Sequence, residues 1–226
     1  KNKLKIQNID IELIKDLLPN DKYFAILLMD GDNMGKLISG EIIGATWRDT
    51  VQKSLVDKLE GSSNIESIYK IAWKKWLSKS RLLTPAIHEA ISESLGDFAL
   101  YCVAPIIEGL HGKLIYAGGD DVCAFLPLST ALEATLKIRE AYHHAFRHIS
   151  ESSKTFTVAR PLHQEWNGGI GKLSLGLGTS PGISISAALL FVHHKEDLRW
   201  CMKEAHRLLD DIAKEQNKRD SLALGL

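Results

Sequence analysis

The chain has 226 residues, 45% of them hydrophobic, with basic and acidic side chains equal at 28 each. That length supports one ample core, or one core with a sizeable inserted lobe. The zero formal charge excludes nucleic-acid binding through bulk positive charge, leaving only local patches for such a role. Cys102, Cys123 and Cys201 lie far apart and form neither a zinc-ribbon pair nor an even-numbered disulfide framework, which fits a reducing cytoplasm. No apolar run reaches membrane-spanning length, and Lys1-Asn2-Lys3 carries neither an initiator Met nor a signal pattern. The expectation is a cytoplasmic fragment of a longer protein, without a membrane partner.

Residues 1–22 read as a lead-in and residues 23–226 as one domain. YFAILLM at 23–29 is a continuous apolar run, the pattern of a strand buried on both faces, and it leads into Asp30-Gly31-Asp32-Asn33. From about 40 to 83 the periodicity weakens, which predicts a partly helical insertion. Thr84-Pro85 makes a helix N-cap and first-position proline, followed by Ile87, Ile91, Leu95, Phe98 and Cys102 at helical spacing. KLIYA (113–117) and VCAFLPL (122–128) then read as two strands joined by Gly118-Gly119-Asp120-Asp121, a hairpin turn. A second helix capped by Ser129 or Thr130 is predicted to run to about 150, followed by a glycine-rich loop at about 151–182. A strand over 182–191, a third helix through Leu198, Cys201, Ala205, Leu208 and Ile212, and a last strand at 221–226 complete the chain. Without the insertion, the first six elements follow the split βαβ order of the ferredoxin-like motif, an α+β fold of the kind found in polymerase and nucleotidyl cyclase palms. Fold alone does not give function, which must be argued from the site.

Side chains alternate along a strand, so Asp30 and Asp32 project to the same side at the end of the first strand. The split βαβ order sets that strand beside the hairpin and brings Asp120 or Asp121 close to Asp30. Asp120 and Asp121 point opposite ways in a regular strand, so one of them is expected to have a structural or substrate role. Clustered carboxylates suit Mg²⁺ or Mn²⁺, and two such ions can stabilise both the attacking and the leaving oxygen in phosphoryl transfer. Gly118 and Gly119 allow the tight turn and the close approach of a triphosphate. Each acidic turn alone is an ordinary turn composition. Together, at the ends of adjacent strands, they point to a metal site.

LLMDGDNMGKLISG, LGDFALYCV, LIYAGGDDVCAFLPL, ISAALLFVHHKEDL and AKEQNKRDSLAL, in that order, resemble the Cas-ten family. These are the large subunits of type III CRISPR effector complexes, and the likeness is greatest to the type III-B (Cmr-two) branch. The resemblance implies a palm that, with other effector subunits, guide RNA and target RNA, converts ATP into cyclic oligoadenylates. It also implies a second palm in the same longer polypeptide. On the residue level it implies Asp30, Asp120 and Asp121 as catalytic metal-site carboxylates and Asp32 as a further member, with Gly31, Asn33, Gly118 and Gly119 around the substrate. Diguanylate cyclases with GGDEF motifs are similar more distantly and imply phosphate contacts from Lys214 and Arg219. For both residues a solvated charge near a helix C-terminus is the ordinary alternative. Ala188 departs from the family, whose strand usually carries Gly there. The chain has no His-Asp dipeptide to mark a nuclease domain and no cysteine quartet to mark a zinc-binding lobe.

Other features carry less. GIGK at 169–172 lacks both the leading Gly and the Ser or Thr of a phosphate loop. His144 and His148 have metal-ligand spacing on the predicted helix but no third ligand, and His193-His194 follow a strand without one. Trp73, Lys74, Lys75, Trp76, Lys79 and Arg81 combine aromatics with positive charge, a pattern open to RNA contact, subunit contact or a plain amphipathic edge. Three readings of function remain: an ATP-using cyclic oligoadenylate synthetase, a template-directed polymerase palm, and a nucleotide-binding scaffold without turnover.

Overall fold

The computed structural model describes residues 5–6, 22–43, 46–62, 66–144, 146–150, 156–158, 171–178 and 182–226. Most of the 1–22 lead-in, part of the glycine-rich stretch and the start of GIGK lie outside the described residues. The apolar run becomes β2 (Tyr23–Asp32), with β1 (Lys5–Ile6) before it. Strands β3 (Lys113–Gly118) and β4 (Asp121–Leu126) form the hairpin, and β8 (Ser184–His193) and β9 (Ser221–Gly225) come late in the chain. These six make one sheet in the order β1-β9-β8-β2-β4-β3. β2 pairs antiparallel with both β8 and β4, and β9 joins β8 in parallel. The inner order 8-2-4-3 is the split βαβ arrangement predicted from the sequence, extended by β9 and β1.

Helices cover both faces, which is why β2 and β8 are apolar without alternation. Short α1 (Met34–Ile38) follows β2, and the insertion folds as α2 (Trp47–Thr50), α3 (Lys53–Gly61) and α4 (Ser67–Leu77). On one face lie α5 (Pro85–Phe98), which continues through a π-helical turn (Ala99–Val103) into α6 (Ala104–Gly109), and α7 (Leu128–Tyr142). Thr84 caps α5 as predicted, its hydroxyl accepting from the Ile87 amide at 3.3 Å. Phe98, Cys102, Ile107 and Ile138 from these helices pack on Leu27, Met29 and Leu189. The opposite face carries α8 (Leu198–Arg207) and its π-helical continuation Leu208–Gln216, whose Ala205, Leu209 and Ala213 cover Ile26, Leu28 and Leu190. The helix Pro85–Gly109, 25 residues, is long and apolar enough by composition to cross a membrane. Its Phe98, Cys102, Val103 and Ile107 are spent on the sheet. None of the three cysteines forms a disulfide.

Two expectations change. The second helix starts at Leu128, one residue after Pro127, and ends at Tyr142, not near 150. Phe146 and Ile149, whose spacing of three imitates a helix, lie in β5 (Phe146–Ser150). His148 is therefore on a strand, and the His144–His148 helical pair does not exist. The stretch read as a glycine-rich loop contributes β6 (Phe156–Val158) and β7 (Gly171–Leu175), which flank β5 in a second, three-stranded antiparallel sheet. β6 is only three residues long, and the glycines at 168, 169, 171, 176 and 178 interrupt the pattern around β7.

In the insertion, Trp47 stacks on Trp76 at 4.8 Å, Trp73 meets Trp76 edge-on at 5.4 Å, and the Arg81 guanidinium lies over Trp47 at 4.8 Å. The aromatics thus turn their faces on one another. Ile68 and Ile71 on α4 remain exposed. Leu27→Ala, in a fully buried position of the central strand, is expected to cost about 2–5 kcal/mol. Ile68→Ala is expected to change stability by less than about 0.5 kcal/mol. Urea denaturation of both variants checks the division between palm core and inserted lobe.

Candidate active site

Register places the acidic residues. The β2–β4 pairing ends with Met29 opposite Val122. Continuing it sets Asp30 beside Asp121 and Gly31 beside Asp120. A Cβ built on Gly31 would lie 2.6 Å from the Asp120 Cβ and 2.7 Å from the Tyr142 hydroxyl. The hairpin tip rests directly on the strand end, and only glycine permits it. At the tip, Gly118 pairs with Asp121 around a two-residue turn whose first member, Gly119, has φ +65°. Asp120 does not share the positive φ, which is the II′ pattern. A side chain on Gly119 would meet open space, whereas one on Gly118 would collide with the ring of Tyr116.

Alternation then separates the carboxylates. Asp30 and Asp121 share the face covered by the π-helical run, while Asp120 turns toward Gly31 and Tyr142 on the other. From the π-helical side Lys214 forms an ion pair with Asp30, the two side chains being 16% and 30% exposed. Burial pushes the Asp120 carboxyl up to about 6, reinforced by the charges of Asp30 and Asp121 and opposed by Lys214. Asp121 is raised as well, first by burial and then by Asp30, with Lys214 and His206 opposing. Tyr142, missed in the sequence reading because it looked like one more apolar-face residue of α7, is buried. Its hydroxyl is 3.7 Å from the Met34 sulfur. Burial, followed by the charges of Asp120, Asp32 and Asp30, holds its proton in place.

Asp32 has a different occupation from the metal role expected of it. It is 2% exposed. Its carboxylate accepts from the Ser184 hydroxyl at 2.6 Å, from Ser186 at 2.8 and 3.0 Å, and from the Asp220 amide at 3.0 Å. Three protein donors thus hold it, all of them on Oδ2, with Ser186 shared with Oδ1. The only sequence signal was the pair of serines two apart in an otherwise apolar strand. The Asp220 carboxylate in turn receives Arg139 in a bidentate pair at 2.8 and 2.7 Å. These contacts hold Lys218, Arg219 and Asp220, all at positive φ (60°, 66° and 47°). Each such non-glycine residue costs about 1–2 kcal/mol. The Arg219 side chain is exposed, and the cation paired with Asp30 is Lys214. Asn33, at φ 58°, donates its side-chain amide to the Gly182 carbonyl at 3.2 Å. It fastens the loop entering β8. Ala188 fits its place without strain as a fully buried methyl opposite Leu28.

Among the described residues no three His, Cys, Asp or Glu side chains form a ready metal cage. The donor chemistry nevertheless fits Mg²⁺ or Mn²⁺, which bind through one or two carboxylates together with substrate phosphates. A cationic group, the Lys214 ammonium, already stands on Asp30.

Asp32→Ala strands two hydroxyls and one amide and is expected to cost about 3 kcal/mol or more. Asp30→Ala also removes a repulsive neighbour of Asp120 and Asp121 and is expected to cost less than about 1 kcal/mol. Chemical denaturation of the two variants separates the aspartate that carries stability from the one that carries little.

The native Asp120 carboxyl titrates at about 6 and the ordinary value is 3.8. The folded protein therefore binds more protons between these values, and stability falls as pH rises through that window. Asp120→Asn is expected to stabilise the chain above that window by about 1–2 kcal/mol, the full shift being discounted for solvent screening. Unfolding midpoints on either side of the window read this, and the gap between variant and native chain narrows on the acidic side.

Residues 23–223 match the family model described as Cas10/Cmr2, second palm domain. The CRISPR system Cmr subunit Cmr2 of Pyrococcus furiosus is 33% identical over 234 residues, an alignment covering 100% of this chain and 22% of that protein. The Saccharolobus solfataricus Cmr2 subunit is 29% identical over 109 residues, 47% of this chain and 10% of that one. Among solved structures, the type III-B Cmr-beta complex bound to cognate target RNA matches with TM-score 0.55 and 16% identity over 91% of this chain and 26% of the matched chain. That likeness speaks to the fold alone. The chain spans about a quarter or less of the length of each of these proteins.

Proposed function

Because the chain belongs to the Cas10/Cmr2 second palm domain family, we propose that it is a nucleotidyltransferase palm making cyclic oligoadenylates from ATP within a type III-B effector complex. The observation that carries this reading is the seating of the GGDD hairpin tip on Gly31, which gathers Asp30, Asp120 and Asp121 at one end of the sheet with Lys214 beside them. Asp30 and Asp121, neighbours on one face, would hold Mg²⁺ or Mn²⁺ together with Asp120 at the tip. When bound, two such ions supply the charge that stabilises the attacking and leaving oxygens.

In the proposed reaction the 3′ oxygen of one ATP attacks the α-phosphorus of another. An O–P bond forms, the proton of the 3′ hydroxyl passes to water, the bond between the α-phosphorus and its bridging oxygen breaks, and pyrophosphate leaves; a last attack of the same kind within the nucleotide chain closes the ring. The chain's own contribution is position and charge. The open space at Gly119 gives a triphosphate room to approach the turn backbone. Lys214 supplies a cationic arm for the phosphates. Tyr142, holding its proton, closes the opposite side of the hairpin seat. Guide RNA, target RNA, the other effector subunits and a second palm are the partners this reading requires.

A scaffold that binds nucleotide without turnover is the second reading, favoured by the Lys214–Asp30 pair and by the lack of a three-ligand cage among the described residues. The two separate by product analysis. The effector complex containing this chain is incubated with ATP, Mg²⁺ or Mn²⁺ and cognate target RNA, and its products are read by mass spectrometry. Asp120→Ala with Asp121→Ala is expected to lower cyclic oligoadenylate yield at least about a hundredfold, because both carboxylates act only at the site. Unchanged yield from the double variant refutes the catalytic role.

A further inference from the structure

Lys214 stands on a braced arm. It lies in the π-helical run Leu208–Gln216, whose end is fixed by the Asn217 amide on the Ile212 carbonyl at 2.9 Å and the Arg219 amide on the Ala213 carbonyl at 3.1 Å. Beyond it, Asp220 is clamped by Asp32 and Arg139. From this arm the ammonium reaches Asp30, and its side chain is mostly withdrawn from water. Lys214 thus serves as the counter-ion of Asp30.

A divalent cation brought to Asp30 competes with the ammonium already paired there, and at contact distance the two cations repel strongly. The triphosphate of ATP carries more negative charge than one divalent cation balances, so a metal–nucleotide complex attracts the ammonium that the metal alone repels. We infer that Lys214 is an exchangeable internal counter-ion: its ammonium holds Asp30 in the empty site and passes to the triphosphate when a metal–nucleotide complex enters. The inference rests on the metal-dependent reading above and deepens it. Its consequence is thermodynamic linkage. Metal alone binds weakly because it must displace Lys214, and nucleotide strengthens metal binding because it gives the displaced ammonium a partner.

The test is Mn²⁺ binding to the purified chain, followed by the electron paramagnetic resonance signal of free Mn²⁺. Titrations are run alone and with a non-hydrolysable ATP analogue, with correction for Mn²⁺ held by analogue in solution. Lys214→Met is expected to bind Mn²⁺ alone about tenfold more tightly than the native chain, and to lose most of the strengthening by nucleotide. Lys214→Gln serves as a second neutral variant should the first fail to fold, and Lys214→Arg, which keeps the charge, should behave like the native chain. Mn²⁺ affinity that is equal or weaker in the neutral variants overturns the counter-ion role while leaving the metal site standing. Mn²⁺ binding that Asp30→Asn leaves intact overturns the metal site itself, and this inference with it.

Discussion

Everything at this site depends on one missing side chain. Gly31 lies between two aspartates of β2, and the Asp120 Cβ and the Tyr142 hydroxyl occupy the space its own Cβ would need. The β2–β4 ladder could hold its register for residues 25 to 29 with almost any apolar sequence. Only at Gly31 does the register acquire a steric condition, and there the hairpin tip is brought to rest. A larger residue would lift the tip, and with it both Asp120 and Asp121, from Asp30. Burial at this seat is also what raises the Asp120 carboxyl.

The two aspartates of the DGD sequence illustrate how burial assigns different work to identical chemistry. They lie two residues apart and on the same face, yet Asp30 is partly exposed and meets Lys214, while Asp32 lies one pleat further on beneath the Asn217–Asp220 turn. A buried carboxylate needs its acceptor capacity filled, and Ser184, Ser186 and the Asp220 amide fill it. In return Asp32 and Arg139 offset the strain of three consecutive left-handed residues. The turn that follows the π-helical run is thus tied to β2 through Asp32.

The sequence disclosed what periodicity and turn chemistry encode. The run at 23–29 had to be a strand covered on both faces, Thr84-Pro85 had to open a helix, and GGDD between two β-rich runs had to be a hairpin. It also disclosed that Asp30 and Asp32 share a face and that Asp120 and Asp121 do not. What it hid was long-range. Nothing local says that Ser184 and Ser186 come opposite Asp32, that Arg139 pairs with a residue 81 positions away, or that Asn33 is taken by Gly182. The helix end was misplaced because Phe146 and Ile149 continue an apolar spacing of three into what is a strand. The family relationship is carried by residues 23–223 as a whole, while roles within the site follow from contacts that a motif does not specify.

The same geometry bears on where a second nucleotide would lie. Helix α7 with Tyr142 closes one face beside the cluster, and the π-helical run with Lys214 closes the other. The open direction is past the strand ends, where Gly119 borders empty space. On the proposed reading one nucleotide fits along that opening, with its triphosphate between the hairpin tip and Lys214. On that reading the acceptor hydroxyl arrives from beyond the tip, where Gly119 borders open space. An acceptor displaced by about an ångström forfeits on the order of a hundredfold in rate, so efficient joining requires a surface that fixes the second nucleotide opposite the tip. A facing palm is the kind of partner that the proposed reaction needs.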